Sequence, residues 1–197
     1  MDRSGTADFY SENAVTYARA TRDIDCSDLY AKFLPLLPVG GHILDAGCGS
    51  GRDSSHFLKA GFKVTAFDAC PELAQIASET LRRPVEVMEF MDLESQMEFD
   101  AVWCCASMLH VPMEDLPAVA ERIIRALKPG GIWYLSFKYG DGERIASDGR
   151  QFWDFIPETL EAFLLRHEEL SVVELWTNHN CQSDTSNHWV NAVVRRA

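Results

Sequence analysis

The chain has 197 residues, 47% hydrophobic and 24% charged, the make-up of a soluble globular protein of one ordinary domain. Its net charge of -12 speaks against nucleic acid, whose phosphates call for a basic stripe, and against anionic membrane surfaces. No apolar run approaches the roughly 18 residues of a membrane span, and the polar, acid-bearing N-terminus reads as neither signal nor transit peptide.

Taken in order, the first forty residues read as two helices. Phe9, Tyr10, Ala14, Tyr17 and Ala18 recur at helical spacing, and after the Asp23-Asp25 break Leu29, Phe33, Leu34 and Leu37 form a second apolar face. Pro38 and Gly40-Gly41 stop it. The short run Ile43-Leu44 reads as a buried strand ending at Asp45. A tight turn through Gly47, Gly49 and Gly51 follows, then a helix from about Arg52 to Ala60. A second strand, Lys63 to Phe67, ends on Asp68. Strand, glycine turn, helix and strand with a terminal acid are the parts of a nucleotide-binding βαβ unit.

Pro71 opens a further helix carrying Leu73, Ile76, Ala77 and Leu81, since its missing N–H costs nothing in a first turn. Residues 84–89 alternate as a strand. Phe99 to Cys104 is a near-continuous apolar run, as a central parallel strand covered on both faces requires, and it leads into 105–112 at the switch point of the sheet. A helix from Leu116 to Leu127 precedes a second buried strand, Ile132 to Phe137. Residues 138–150 are polar and glycine-rich without periodicity, and read as a long functional loop. An aromatic cluster (Phe152, Trp153, Phe155), a helix from Pro157 to His167, and two strands, Val172 to Thr177 and Trp189 to Arg195, complete the chain as an edge hairpin. Six cysteines (Cys26, Cys48, Cys70, Cys104, Cys105, Cys181) form no C-x-x-C pair. They read as reduced thiols of a cytoplasmic protein, without a disulfide framework or a metal site.

The glycine turn reads Asp45-Ala46-Gly47-Cys48-Gly49-Ser50-Gly51, or D-x-G-x-G-x-G, where a dinucleotide fingerprint reads G-x-G-x-x-G. With Asp68 in register, it resembles the first motif of the class I S-adenosylmethionine (SAM)-dependent methyltransferases. The Leu127-Lys128-Pro129-Gly130-Gly131 turn before an apolar strand is similar to theirs as well. The resemblance implies an α/β, Rossmann-like seven-stranded sheet with helices on both faces and the last strand antiparallel. It divides one domain, 1–197, into a helical cap (1–40), a SAM-binding core (41–137), and a substrate-side loop and hairpin (138–197). SAM carries no phosphate, so the turn needs bare backbone for close approach and no lysine. An NAD-dependent oxidoreductase fits the glycine spacing worse.

The cofactor set the resemblance implies is Asp45, Ala46, Gly47, Cys48, Gly49, Gly51, Arg52 and Asp53 at the turn, with Asp68 taking the ribose hydroxyls and Ala69 beside it. Asp92, between Met91 and Leu93, would meet the adenine; Cys105, Ala106 and Ser107 lie past the fourth strand, and Tyr17 covers SAM from the cap. Tyr10, Lys138, Tyr139, Arg150, Trp153, His188 and Trp189 are candidates for the acceptor pocket. His110, titrating in the useful range, is the candidate general base and a further acceptor-side residue. The implied function is methyl transfer to a small-molecule acceptor. An RNA, tRNA or protein methyltransferase and a non-catalytic SAM-binding module are the alternatives, and the chain is expected to be a monomer or weak homodimer.

Overall fold

The computed structural model describes residues 4–179 and 188–197; Cys181 lies outside them. Helices α1 (Ser4–Arg22) and α2 (Ser27–Phe33) precede β1 (His42–Ala46), α3 (Arg52–Lys59), β2 (Lys63–Asp68) and α4 (Pro71–Leu81). Then come β3 (Glu86–Val87), β4 (Phe99–Cys104), α5 (Leu116–Ala126), β5 (Leu127–Lys138), β6 (Gly142–Ile145), β7 (Gln151–Asp154), α6 (Pro157–Leu164), β8 (Leu170–His179) and β9 (His188–Arg196).

Seven strands form one sheet in the order β3-β2-β1-β4-β5-β9-β8. Strands β1 to β5 pair in parallel. Strand β9 runs antiparallel to both its neighbours, β5 and the edge strand β8. This is the seven-stranded sheet expected from the sequence, with its final strand reversed. The apolar runs alternate between two covered faces. Ile43, Trp103 and Tyr134 pack with Phe33 of α2 and Phe57 of α3, whereas Leu44, Val102 and Trp133 pack with Ile123 of α5 and Leu160 of α6. Trp103, Trp133 and Phe57 are fully buried; truncating any one to alanine costs about 3–5 kcal/mol. Among the described residues no helix is long and apolar enough to cross a membrane.

Four segments depart from the sequence reading. The turn expected over 127–131 is taken up in β5, whose pairing with β4 shifts there from Phe99–Leu127 to Ala101–Ile132. The strand expected over 84–89 shrinks to Glu86–Val87 at the sheet edge, because Glu89 and Asp92 cap each other in a short 3-10 turn that draws the chain away. The 138–150 segment is no irregular loop. Strands β6 and β7 pair antiparallel across it, around a turn in which Gly149 takes a φ of 85° and its N–H donates to Ala146 O at 3.0 Å. The helix from Pro157 ends at Leu164, short of His167.

Candidate active site

The glycine turn sits where β1 leaves the sheet. The N–H groups of Gly47 and Cys48 both donate to Phe67 O, at 3.0 and 2.9 Å, stitching the turn to β2. A Cβ on Gly47 would lie 2.5 Å from the Ser107 Cβ, and the Ser107 hydroxyl donates to Ala46 O at 2.7 Å. Only glycine lets β4's exit approach the turn this closely, quite apart from its positive φ of 75°. Beside it opens a cavity of about 930 Å³, toward the upper end of the roughly 300–1,000 Å³ usual for ligand pockets.

Asp68, at the carboxyl end of β2, lines this cavity. Its carboxylate accepts the Gly49 N–H at 2.7 Å and the Cys70 N–H at 2.9 Å, while burial pushes its pKa up. A carboxylate has about four lone-pair positions, so two acceptor positions remain. Asp53 lies in the first turn of α3 and is saturated: it accepts from Arg52 Nε (2.6 Å) and Nη2 (3.0 Å), Tyr30 OH (2.6 Å) and Trp103 Nε1 (2.8 Å). Burial works against its charge, yet the Arg52 guanidinium and these donors hold the carboxyl below its usual range. Asp53 thereby fixes Arg52, which faces the cavity with Tyr17 and Thr21.

Of the residues expected to touch the cofactor, Tyr17, Gly47, Cys48, Gly49, Arg52, Asp53, Asp68, Ala69, Met91, Cys105, Ala106 and Ser107 line the cavity. Asp45, Ala46, Gly51, Asp92 and Leu93 do not. Asp45 lies behind the turn, accepting the Ser54 hydroxyl at 2.6 Å, and burial with the neighbouring Asp53 charge lifts its pKa. The Ala46 carbonyl is taken up by the Ser107 hydroxyl. Gly51 packs on α4, where its Cβ position is 3.3 Å from Ala77 Cβ. Asp92 turns back to accept the Glu89 N–H at 3.1 Å, and Leu93 is buried in the core. The wall there consists of Met88, Glu89, Phe90 and Met91, so the acid of this stretch that lines the cavity is Glu89.

On the opposite side the cavity reaches His110, on a 3-10 turn after β4 (Met108–His110). Its Nδ1 lies 2.7 Å from the Gln151 carbonyl, which can only accept, so Nδ1 carries the proton. Nε2 then accepts the Tyr10 hydroxyl at 2.9 Å. Burial, aided by the Arg150 and Arg144 charges and opposed by the Gln151 carbonyl, lowers the His110 pKa to about 4. Burial raises the pKa of both Tyr10 and Tyr17, whose rings meet edge to face at 5.1 Å. Lys138 stands over the Trp189 ring at 3.9 Å, as its register partner on β9. Arg150 pairs with Asp148 at 2.7 Å.

Tyr10, His110, Lys138, Arg150 and Trp189 thus line the cavity, and Tyr139, Trp153 and His188 do not. Tyr139 and His188 stack on each other at 4.0 Å outside it. On β7 it is Phe152 that lines the wall, which leaves its strand neighbour Trp153 to the other face. Sequence reasoning missed Arg144 and Phe152 on the hairpin, and Ser136 and Asn191, register partners on β5 and β9. A polar residue inside an otherwise apolar strand is the signal that marks the last two. Among the described residues no group of three or more His, Cys, Asp or Glu is placed to hold a metal ion.

Comparison with known proteins agrees with this geometry. Residues 43–131 match the family model described as a methyltransferase domain. A ubiquinone biosynthesis O-methyltransferase from Xanthomonas axonopodis pv. citri is 38% identical over 108 residues, 51% of this chain and 44% of that protein. The chain thus matches less than half the length of this relative. A SAM-dependent methyltransferase from Methanosarcina mazei superposes with a TM-score of 0.76 at 20% identity, covering 85% of this chain and 97% of the other. The Burkholderia thailandensis 1,6-didemethyltoxoflavin-N1-methyltransferase does so with a TM-score of 0.71 at 21% identity, over 100% and 91%. Residues 43–131 thus match a methyltransferase domain, and the chain as a whole has the fold of SAM-dependent methyltransferases.

Proposed function

We propose that this protein transfers a methyl group from SAM to a hydroxyl of a small molecule, with His110 receiving the hydroxyl proton. The observation that carries the reading is the Tyr10–His110 contact. The imidazole is locked with Nδ1 as donor, so Nε2 presents a lone pair, and a phenolic O–H already occupies it. An acceptor hydroxyl exchanged for that of Tyr10 would meet the same lone pair. The name of the Xanthomonas relative, an O-methyltransferase, supports oxygen as the acceptor atom.

The residues present fit SAM. Gly47 and Gly49 offer bare backbone at the wall, and Asp68 retains acceptor capacity for ribose hydroxyls. Met88, Phe90 and Met91 offer an apolar bed for the adenine, with Glu89 beside them, and Arg52 offers a cation for the methionine carboxylate. When bound, SAM supplies a methyl group on positively charged sulfur, already activated toward a nucleophile. What remains for the chain is positioning, exclusion of water and custody of one proton. As the acceptor oxygen gives up its proton, Nε2 takes it, and Nδ1 keeps its bond to Gln151. The side chains of Tyr10 and Tyr17 roof the cavity against water. Five described cysteines are free thiols, which supports a reducing, cytoplasmic setting.

The test is incubation with SAM and a panel of phenols and catechols, read by mass spectrometry for O-methyl products. His110→Gln should lower kcat by about a hundredfold or more with S-adenosylhomocysteine affinity kept. Undiminished turnover in that variant would remove His110 from the reaction.

A further inference from the structure

The cavity wall divides by charge. From Tyr134 onward its described charged side chains are Lys138, Arg144 and Arg150, with no carboxylate among them; the wall's acids all precede Leu116. In a chain where 30 acids face 18 lysines and arginines, a cationic and acid-free stretch of wall is the opposite of the average surface.

Two of these cations converge. The Arg144 Cζ lies 4.2 Å from the Phe152 ring centroid and the Arg150 Cζ 5.2 Å from the same centroid. That ring is itself 4.8 Å from the imidazole of His110. Each guanidinium is anchored by a carboxylate outside the cavity wall. Asp154 takes Arg144 Nε, and Asp148 takes Arg150 Nε and Nη2. An arginine has five N–H donors in a rigid fork, so these anchors orient both groups and leave further donors on each.

Resting on the methyl-transfer reading above, we propose that the acceptor is an anionic aromatic hydroxy acid, its carboxylate docked on Arg144 and Arg150, its ring beside Phe152 and its hydroxyl at His110. Charge-assisted, forked hydrogen bonds to a carboxylate are what a pair of guanidinia recognises. The arrangement also bears on the base. After burial itself, the Arg150 and Arg144 charges are what work against a proton on His110. The Asp148 charge already opposes them, and a bound carboxylate would add to that opposition and favour a proton on Nε2. A neutral acceptor would leave the remaining guanidinium N–H donors without a carboxylate.

The experiment is calorimetric titration of the protein saturated with S-adenosylhomocysteine, using protocatechuate and its neutral amide as probes. The acid should bind at least about tenfold more tightly than the amide. Arg144→Gln should remove most of that preference and Arg150→Lys part of it, each with S-adenosylhomocysteine affinity retained as the check on folding. Equal response to acid and amide, including none to either, overturns the proposal. So does a preference that survives in the Arg144→Gln, Arg150→Gln double variant. Failure of the parent protein to bind S-adenosylhomocysteine is a separate result: it strikes the methyl-donor reading and takes this inference with it.

Discussion

At the scale of the residue, Asp68 and His110 carry the two proposed roles, holding one ligand and receiving a proton from another. Asp68 is held in place by two backbone N–H groups, so its orientation does not depend on a ligand. Each charge-assisted bond to a ribose hydroxyl is worth about 1.5–3 kcal/mol. Asp68→Ala should therefore weaken SAM at least about tenfold in a calorimetric titration, and an unchanged affinity would mean the acid only braces the glycine turn. His110 gives a second expectation, in stability. Its folded pKa of about 4 lies below the ordinary 6.5, so between these values the unfolded chain binds a proton that the folded chain refuses. Stability is whole above the higher value and falls as the pH drops toward the lower one, by about 3 kcal/mol for this group. Urea midpoints measured from about pH 7 to about pH 4.5 should decline more steeply in the parent than in His110→Gln. Parallel declines would show that other groups carry the acid sensitivity.

At the scale of the element, the N-terminal part of α1 and the β6–β7 hairpin form one roof. The Gln151 N–H donates to the Thr6 hydroxyl at 2.9 Å, the Arg150 guanidinium lies 4.2 Å from the Phe9 ring centroid, and Tyr10 reaches His110. Gly5 meets Gly149 so closely that a Cβ would stand 2.6 Å from the Gly149 carbonyl oxygen. Gly5→Val should unseat α1 from the hairpin. Hydrogen exchange should then rise over 4–10 while the sheet stays protected, and acceptor turnover should fall about tenfold or more as water enters. Protection unchanged over 4–10 would show that the two elements are not coupled. Half of this roof was legible in the sequence. The helix announces itself by Phe9, Tyr10, Ala14 and Tyr17 at helical spacing. The hairpin does not, because β6 carries Gly142, Glu143, Arg144 and Ile145, with no apolar alternation to mark it as a strand. Arg144 and Phe152 stayed hidden with it.

For the whole molecule, the parts legible in the sequence are those whose physics is local or repeated. The glycine turn, the acid ending β2 and the two-faced apolar strands each sit within a few residues, and together they dictate the seven-stranded sheet. What sequence reasoning misplaced depends on a side chain's choice among near neighbours. Asp92 caps Glu89 instead of facing the cavity, and Asp45 turns to Ser54. What it missed depends on register between distant strands, as with Ser136 opposite Asn191. Whether the cavity beside the glycine turn receives SAM is decided by calorimetric titration with S-adenosylhomocysteine and with NAD, in the parent protein and in Gly49→Val. Gly49 holds a φ of 56° and its Cβ position is 3.9 Å from the Tyr17 ring, so valine is both strained and intrusive there. Saturable binding of S-adenosylhomocysteine by the parent, none of NAD, and loss of binding in Gly49→Val is the result expected; no binding by the parent, or undiminished affinity in the variant, would remove SAM from this cavity.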